Sequence, residues 1–307
     1  MRRARDRGDG PGRRAARPPP RHVPTGAVLQ DSTPPHQLLA RRGRHGFRGR
    51  RPRLAPSSPV TLSVESQPPI AWLRLDRPQA LNALDTELTA ALEGAVERVA
   101  AMTDVTVLVI AGRGRAFCAG NDITEMATLS AEQAEALARR QAALMARFAT
   151  LPQVTLAAID GHALGGGLML AVAQDLRIAS DRARFGLPEV TLGFNPAYGI
   201  ARLLDVVGGA HARDLLLTGR IVHASEALRL GLVNRVVAAP TLEATAAAWA
   251  ADVARSPRGG LEATKAIVAE LRRPGRGAEP EAYGAALRTS PEARARIQAF
   301  VDRKRGR

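Results

Sequence analysis

Gly161-His162-Ala163-Leu164-Gly165-Gly166-Gly167-Leu168-Met169 lies between two apolar runs, Val154 to Ile159 before it and Leu168 to Val172 after it. The pattern predicts a strand, a tight glycine turn and a buried helix. Glycine lets the backbone bend sharply and lets a ligand approach its N–H groups with no Cβ in the way. A helix N-terminus adds unpaired N–H donors and the positive end of a dipole. The stretch therefore suits a place where negative charge develops. Close helix–strand packing is the plainer use of three glycines. A nucleotide phosphate loop does not fit, because no Lys-Ser/Thr pair follows.

Working outward, Val105 to Ala111 is a continuous aliphatic run, the signature of a strand buried on both faces. Asp85 precedes a helix reaching about Met102, with Leu88, Leu92 and Val96 on one face. Val60, Leu62 and Val64 alternate with polar residues, and Ile70 to Leu75 follows as the second arm of a hairpin. Residues 112–122 read as a loop, and a long helix is expected over about Ala131–Thr150. A helix to about Gln174, a short strand at Leu176–Ala179 and a loop to Asn195 come next. Helices over Thr241–Arg255 and Gly260–Leu271 dominate the rest. Strands alternating with helices predict a layered α/β core with an appended α region.

Charge divides the chain. Its formal net charge is +15, but residues 1–57 hold 15 Arg and 3 Asp, while residues 58–307 hold 29 basic and 26 acidic side chains. The Arg/Pro/Gly-rich stretch 1–57 lacks apolar periodicity and is expected to be disordered, because it cannot bury enough surface to offset ordering entropy. Residues 58–255 are expected to form the core and 256–307 a helical region. Hydrophobic residues make up 45% of the chain and aromatics 3%, so aliphatic side chains fill the core. Apolar runs fall short of the roughly 20 residues that span a bilayer. The single cysteine, Cys118, suits a reducing, cytoplasmic setting and reads as a packing residue. The six histidines lack metal-ligand spacing, and no metal is expected. Nucleic-acid binding is confined to the basic tail as an expectation.

Six motifs occur in order: Leu75-Asp76-Arg77-Pro78 with Leu81-Asn82-Ala83-Leu84; Ala116-Phe117-Cys118-Ala119-Gly120-Asn121-Asp122-Ile123; Gly161 to Gly167; Phe185-Gly186-Leu187-Pro188-Glu189 to Gly193; Leu217-Thr218-Gly219-Arg220 through Gly231-Leu232-Val233; and Ala299-Phe300-Val301-Asp302-Arg303. Together they resemble the crotonase (enoyl-CoA hydratase/isomerase) superfamily over about residues 59–307. The resemblance implies a spiral of ββα turns with a C-terminal helical trimerisation region, a homotrimer or hexamer, and an acyl-CoA substrate whose coenzyme A is part of the substrate rather than a separate cofactor.

It also implies site residues. The N–H groups of Asn121 and Gly166 would form an oxyanion hole for a thioester enolate, a use that physics supports, since fixed donors meet new charge without reorganising. Glu189 would be the acid/base, with a pKa raised by its apolar surroundings. Ala119, Ile123, Met126, Gly165, Met169, Ala197 and Tyr198 would line the substrate channel. Arg77, Phe300 and Arg303 would meet the coenzyme A end, Arg303 in a neighbouring subunit. Asp122 would cap a helix-like turn.

Two departures shape the expected chemistry. Family hydratases place a second glutamate two residues after the triple glycine, where this chain has Met169, which can neither take nor return a proton. Pro196-Ala197-Tyr198-Gly199 stands where P-G-A-G is common, so Tyr198 either packs beside Glu189 or offers its hydroxyl to the substrate. A single glutamate suffices for Δ3-Δ2 isomerisation of an enoyl-CoA, the favoured reading. Hydration, and an acyl-CoA-binding relative without catalysis, are the alternatives.

Overall fold

The computed structural model describes residues 61–271 and 291–305, all of them in one compact unit, Pro56–Arg307. The disorder expected of residues 1–57 lies outside the described residues.

Two parallel-rich sheets are built from alternating contributions of the chain. A hairpin of β1 (Leu62–Gln67) and β2 (Ile70–Leu75) starts the larger sheet. Helix α1 (Thr86–Ala100) follows, its N-terminus capped by Asp85, whose side chain accepts from the Leu88 N–H at 2.7 Å. Then come β3 (Val107–Gly112), β4 (Ala116–Cys118), the short α2 (Ile123–Met126) and α3 (Ala131–Ala149). Next are β5 (Val154–Ile159), β6 (His162–Leu164) and α4 (Gly166–Ala173), then β7 (Leu176–Ser180), β8 (Arg184–Gly186) and α5 (Ile200–Thr218). The core closes with β9 (Ile221–His223), α6 (Ala224–Arg229), β10 (Arg235–Val237) and α7 (Leu242–Ala254). Helices α8 (Arg258–Leu271) and α9 (Pro291–Arg305) complete the described chain.

The larger sheet runs β1-β2-β3-β5-β7-β10 and the smaller β4-β6-β8-β9. Each pair β3/β4, β5/β6 and β7/β8 sends one strand to each sheet before a helix returns the chain, which is the expected spiral of ββα turns. The reason β3 and β5 read as unbroken aliphatic runs is visible in their two faces. Leu108, Ile110, Ala157 and Ile159 join the main core with α1 and α4, whereas Val107, Val109, Val154 and Leu156 pack on Leu242, Ala246 and Ala250 of α7.

Three expectations need correction. Residues 112–122 do not form a plain loop, for β4 lies within them; the stretch up to Asn195 contains β8 and a 3-10 turn at Pro188–Leu192. The strand before the glycine turn is in fact two strands, β5 and β6, parted by Asp160 and Gly161. Gly161 has φ +65°, and a Cβ there would sit 2.0 Å from the Arg115 carbonyl oxygen, so this bend between sheets admits only glycine. Among the described residues no helix is long and apolar enough to cross a membrane, and no group of three or more His, Cys, Asp or Glu could hold a metal ion.

Candidate active site

The first loop of the site is shaped by the early Asn82 motif. Leu81 and Asn82 both adopt left-handed backbone (φ 53° and 56°), and buried Asn82 donates through Nδ2 to the carbonyls of Arg113 (3.0 Å) and Ala116 (2.8 Å) while accepting from the Arg77 N–H (2.8 Å). The loop 119–122 then runs alongside 81–84. Ala119 N–H donates to Leu81, Leu84 N–H to Gly120 at 2.8 Å, and Asp122 N–H to Leu84 at 2.9 Å. In an extended segment successive peptides face opposite ways. With the Gly120 carbonyl and the Asp122 N–H turned to Leu84, the Asn121 N–H faces the other side.

That side is the triple-glycine turn. Gly165 (φ 52°, ψ −127°) caps α4, and Gly166 opens it. A Cβ on Gly120 would lie 2.8 Å from the Leu164 carbonyl oxygen and 3.4 Å from the Gly166 nitrogen, so the two loops touch at backbone level. Neither Asn121 N–H nor Gly166 N–H makes a hydrogen bond among the described residues. Two neighbouring backbone donors without acceptors, one of them at a helix N-terminus, are suited to an oxyanion.

A cavity of about 60 Å³ opens onto these donors. The structure gathers around it Ala119, Asn121, Ile123, Met126, Gly165, Gly166, Met169, Glu189, Ala197 and Tyr198, joined by Gly120, Leu192, Phe194 and Asn195, which sequence reasoning did not assign. Glu189 is carried by the 3-10 turn Pro188–Leu192, which Gly193 ends in left-handed backbone at φ 85°. Its carboxyl leans over the glycine turn: a Cβ on Gly165 would be 2.8 Å from Oε1. Oε2 is cut off from solvent and has no hydrogen-bond partner among the described residues. Burial raises the carboxyl pKa from its ordinary 4.5 to about 7.

Met169 is 1% exposed, and a Cβ on Gly199 would lie 2.5 Å from its sulfur, so the thioether is packed firmly against the loop that leads into α5. Tyr198, 2% exposed, donates its hydroxyl to Asn121 Oδ1 at 2.9 Å. Of the two uses open to it in the sequence, packing and a hydroxyl contact with the substrate, the structure shows packing together with a hydrogen bond inside the protein. Behind Asn121 stand two further polar residues that the sequence did not single out, Gln141 and Thr89. Gln141 occupies the buried face of α3 between Leu137 and Leu144, and this break in an apolar stripe was the available signal.

Arg77 corrects an expectation. Its guanidinium is engaged by Asp85 and Asp122, each at 2.9 Å, and by the Ala83 carbonyl, so it is not a free cation waiting for a phosphate. Burial pushes the Asp122 carboxyl up, but Arg77 and the N–H groups of Glu125 and Thr124 outweigh it and hold it below the ordinary carboxylate value. Asp122 also caps α2, as expected, and the trio locks the first loop to the start of α1. Phe300 and Arg303 lie exposed on α9 and do not line the cavity of this chain. Cys118 is buried, its thiol pushed up to about 12 by desolvation, which leaves it a packing residue. A second cavity, of about 380 Å³, adjoins Asn121 and Met126 between α3 and α9.

Fold and site together place two neighbouring backbone donors without acceptors beside one buried carboxyl. The enoyl-CoA hydratase/isomerase family profile matches residues 65–304, and the chain belongs to that family. It is 41% identical over 196 residues to a probable enoyl-CoA hydratase, echA8, of Mycobacterium bovis, covering 64% of this chain and 76% of the relative. A probable enoyl-CoA hydratase EchA17 of Mycobacterium tuberculosis is 36% identical over 203 residues, 66% of this chain and 77% of the relative. The crystal structure of an enoyl-CoA hydratase/isomerase from Xanthobacter autotrophicus Py2 superposes with a TM-score of 0.73 at 28% identity, covering 79% of this chain and 93% of that one. An enoyl-CoA hydratase structure from Bacillus anthracis gives 0.66 at 30% identity, over 79% and 96%.

Proposed function

We propose that the protein is an enoyl-CoA isomerase, moving a proton from C2 to C4 of a 3-enoyl-CoA. The observation that carries the reading is the pairing of one buried carboxyl, Glu189, with a buried methionine, Met169, at the place where a second carboxylate would be needed to orient an attacking water. In this reading Glu189, ionised, takes the C2 proton. The electron pair moves into a dienolate whose oxygen is held by the Asn121 and Gly166 N–H groups. The same proton, now on Glu189, is returned to C4, and the double bond comes to rest between C2 and C3. One carboxyl whose pKa lies near neutrality serves both halves, because it is close to evenly poised between accepting and releasing. Coenzyme A is carried in as part of the substrate and no separate cofactor takes part. Ile123 and Met126 line the acyl path, which continues toward the cavity between α3 and α9.

The names of the relatives favour a second reading, hydration of a 2-enoyl-CoA. Purified protein given a 3-enoyl-CoA and a 2-enoyl-CoA separately tests the two. Isomerisation is expected to exceed hydration at least tenfold; rapid hydration without isomerisation overturns the proposal, and tight binding with turnover of neither points to a non-catalytic relative. Assembly of the protein as a trimer, or a hexamer of two trimers, is carried over from the family resemblance, and the adjacent Ile267 (60%) and Val268 (49%) exposed on α8 are the apolar pair such an assembly could cover. Light scattering that returns the mass of a monomer at micromolar concentration would rule this out.

A further inference from the structure

Four side chains from four separate elements form one directional chain of hydrogen bonds. Tyr198 Oη donates to Asn121 Oδ1 at 2.9 Å; Asn121 Nδ2 donates to Gln141 Oε1 at 3.1 Å; Gln141 Nε2 donates to Thr89 Oγ1 at 3.3 Å. Thr89 and Gln141 are both fully buried, and Tyr198 nearly so. Each amide has its carbonyl and its amino group fixed by a different neighbour, so neither can flip without breaking two bonds. The chain also rests on the second oxyanion peptide: a Cβ on Gly166 would stand 2.4 Å from Asn121 Oδ1 and 2.5 Å from the Tyr198 hydroxyl. One relay thus runs from α1 through α3 to the residue that supplies the first N–H, and presses its outer end against the residue that supplies the second.

From this geometry we infer that Tyr198 is a positioning residue: through Asn121, Gln141 and Thr89 it sets the orientation of the Asn121 peptide relative to that of Gly166. In this reading it acts on the reaction through these peptides, with its proton directed at Asn121 Oδ1. The inference rests on the enolate reading of the site but not on isomerisation as against hydration. The physical reason for such a device is that a backbone donor in a loop has no side chain of its own to hold it in place. Preorganisation is where an oxyanion hole gains its advantage over water, and bonds linked in series polarise and stiffen one another.

The test uses the full chain and the variants Tyr198→Phe, Gln141→Met and their double, with Thr89→Ser as a conservative control that keeps the hydroxyl. Amide hydrogen exchange, followed in peptides covering residues 117–123, is expected to speed up about fivefold in each single variant, no further in the double, and not at all in Thr89→Ser. Exchange of the C2 protons of a saturated acyl-CoA with solvent deuterium is expected to lose about tenfold in kcat, with KM held, in the same non-additive pattern. Unchanged amide exchange in Tyr198→Phe, or losses that simply multiply in the double variant, overturns the relay. If the wild-type protein exchanges no C2 protons, the enolate reading fails, while amide exchange still decides whether the relay exists. Should Tyr198→Phe not fold, Gln141→Met alone decides the matter: faster amide exchange in residues 117–123 upholds the relay, and unchanged exchange overturns it.

Discussion

Glu189→Gln is expected to lower turnover of the 3-enoyl-CoA by about 10²–10⁴-fold while leaving acyl-CoA binding nearly intact, because a carboxamide of the same shape cannot carry the proton. The pH dependence gives an independent reading. Burial raises the Glu189 carboxyl to about 7, and only its ionised form can remove the C2 proton. For the wild-type enzyme kcat/KM should therefore rise with pH through about 7 and level off above it. In Glu189→Gln that limb should vanish from whatever activity remains. Stability should move the opposite way. The folded pKa lies above the ordinary 4.5, so ionisation costs the folded state more than the unfolded one. Below about pH 4 the two proteins should melt alike; as pH climbs through 7 the wild type should lose stability that the glutamine variant keeps. Turnover within twofold of wild type in Glu189→Gln, or a pH profile shared by both, would remove this carboxyl from the reaction.

Gly166→Ala keeps its own N–H, but its Cβ displaces the relay that holds the other donor, so it is expected to cost about tenfold in kcat and to lower the melting temperature by a few degrees. The new Cβ would meet Asn121 Oδ1 and the Tyr198 hydroxyl, whose buried hydrogen bond must break to make room, and in moving they release the peptide that supplies the other N–H. Gly167→Ala provides the contrast. Its Cβ would come 2.1 Å from the Cys118 carbonyl oxygen, a backbone atom of β4 that cannot yield without opening the contact between α4 and the small sheet. That variant should lose stability before it loses chemistry, and thermal melts run beside initial rates separate the two outcomes. A Gly166→Ala enzyme with wild-type kcat would mean that the Asn121 peptide does not need this contact to stay in place.

Both predictions rest on residues that the sequence singled out, yet the two kinds of information did different things. The inner strands β3 and β5 of the larger sheet were legible because both their faces are buried, which forces unbroken aliphatic runs at Val107–Gly112 and Val154–Ile159, whereas its three-residue edge strand β10 was not. The smaller sheet was not. Strands β4, β6, β8 and β9 are three residues each, too short to show a period. The motif positions of Asn121, Gly166 and Glu189 could be read along the chain, and so could the absence of a carboxylate at Met169, because these depend on residue identity at fixed spacing. By itself, then, the sequence determined the family, the α/β spiral and the single carboxyl. Only the tertiary structure decided which groups Arg77 and Tyr198 bond to. An arginine near a binding motif serves a phosphate or an ion pair according to which carboxylates the fold brings within 3 Å, and Asp122 lies 45 residues away. Tyr198 meets Asn121 across 77 residues, and Gln141 meets Thr89 across 52. Contacts at such separations are set by how helices pack on sheets, and no local pattern in the chain records them.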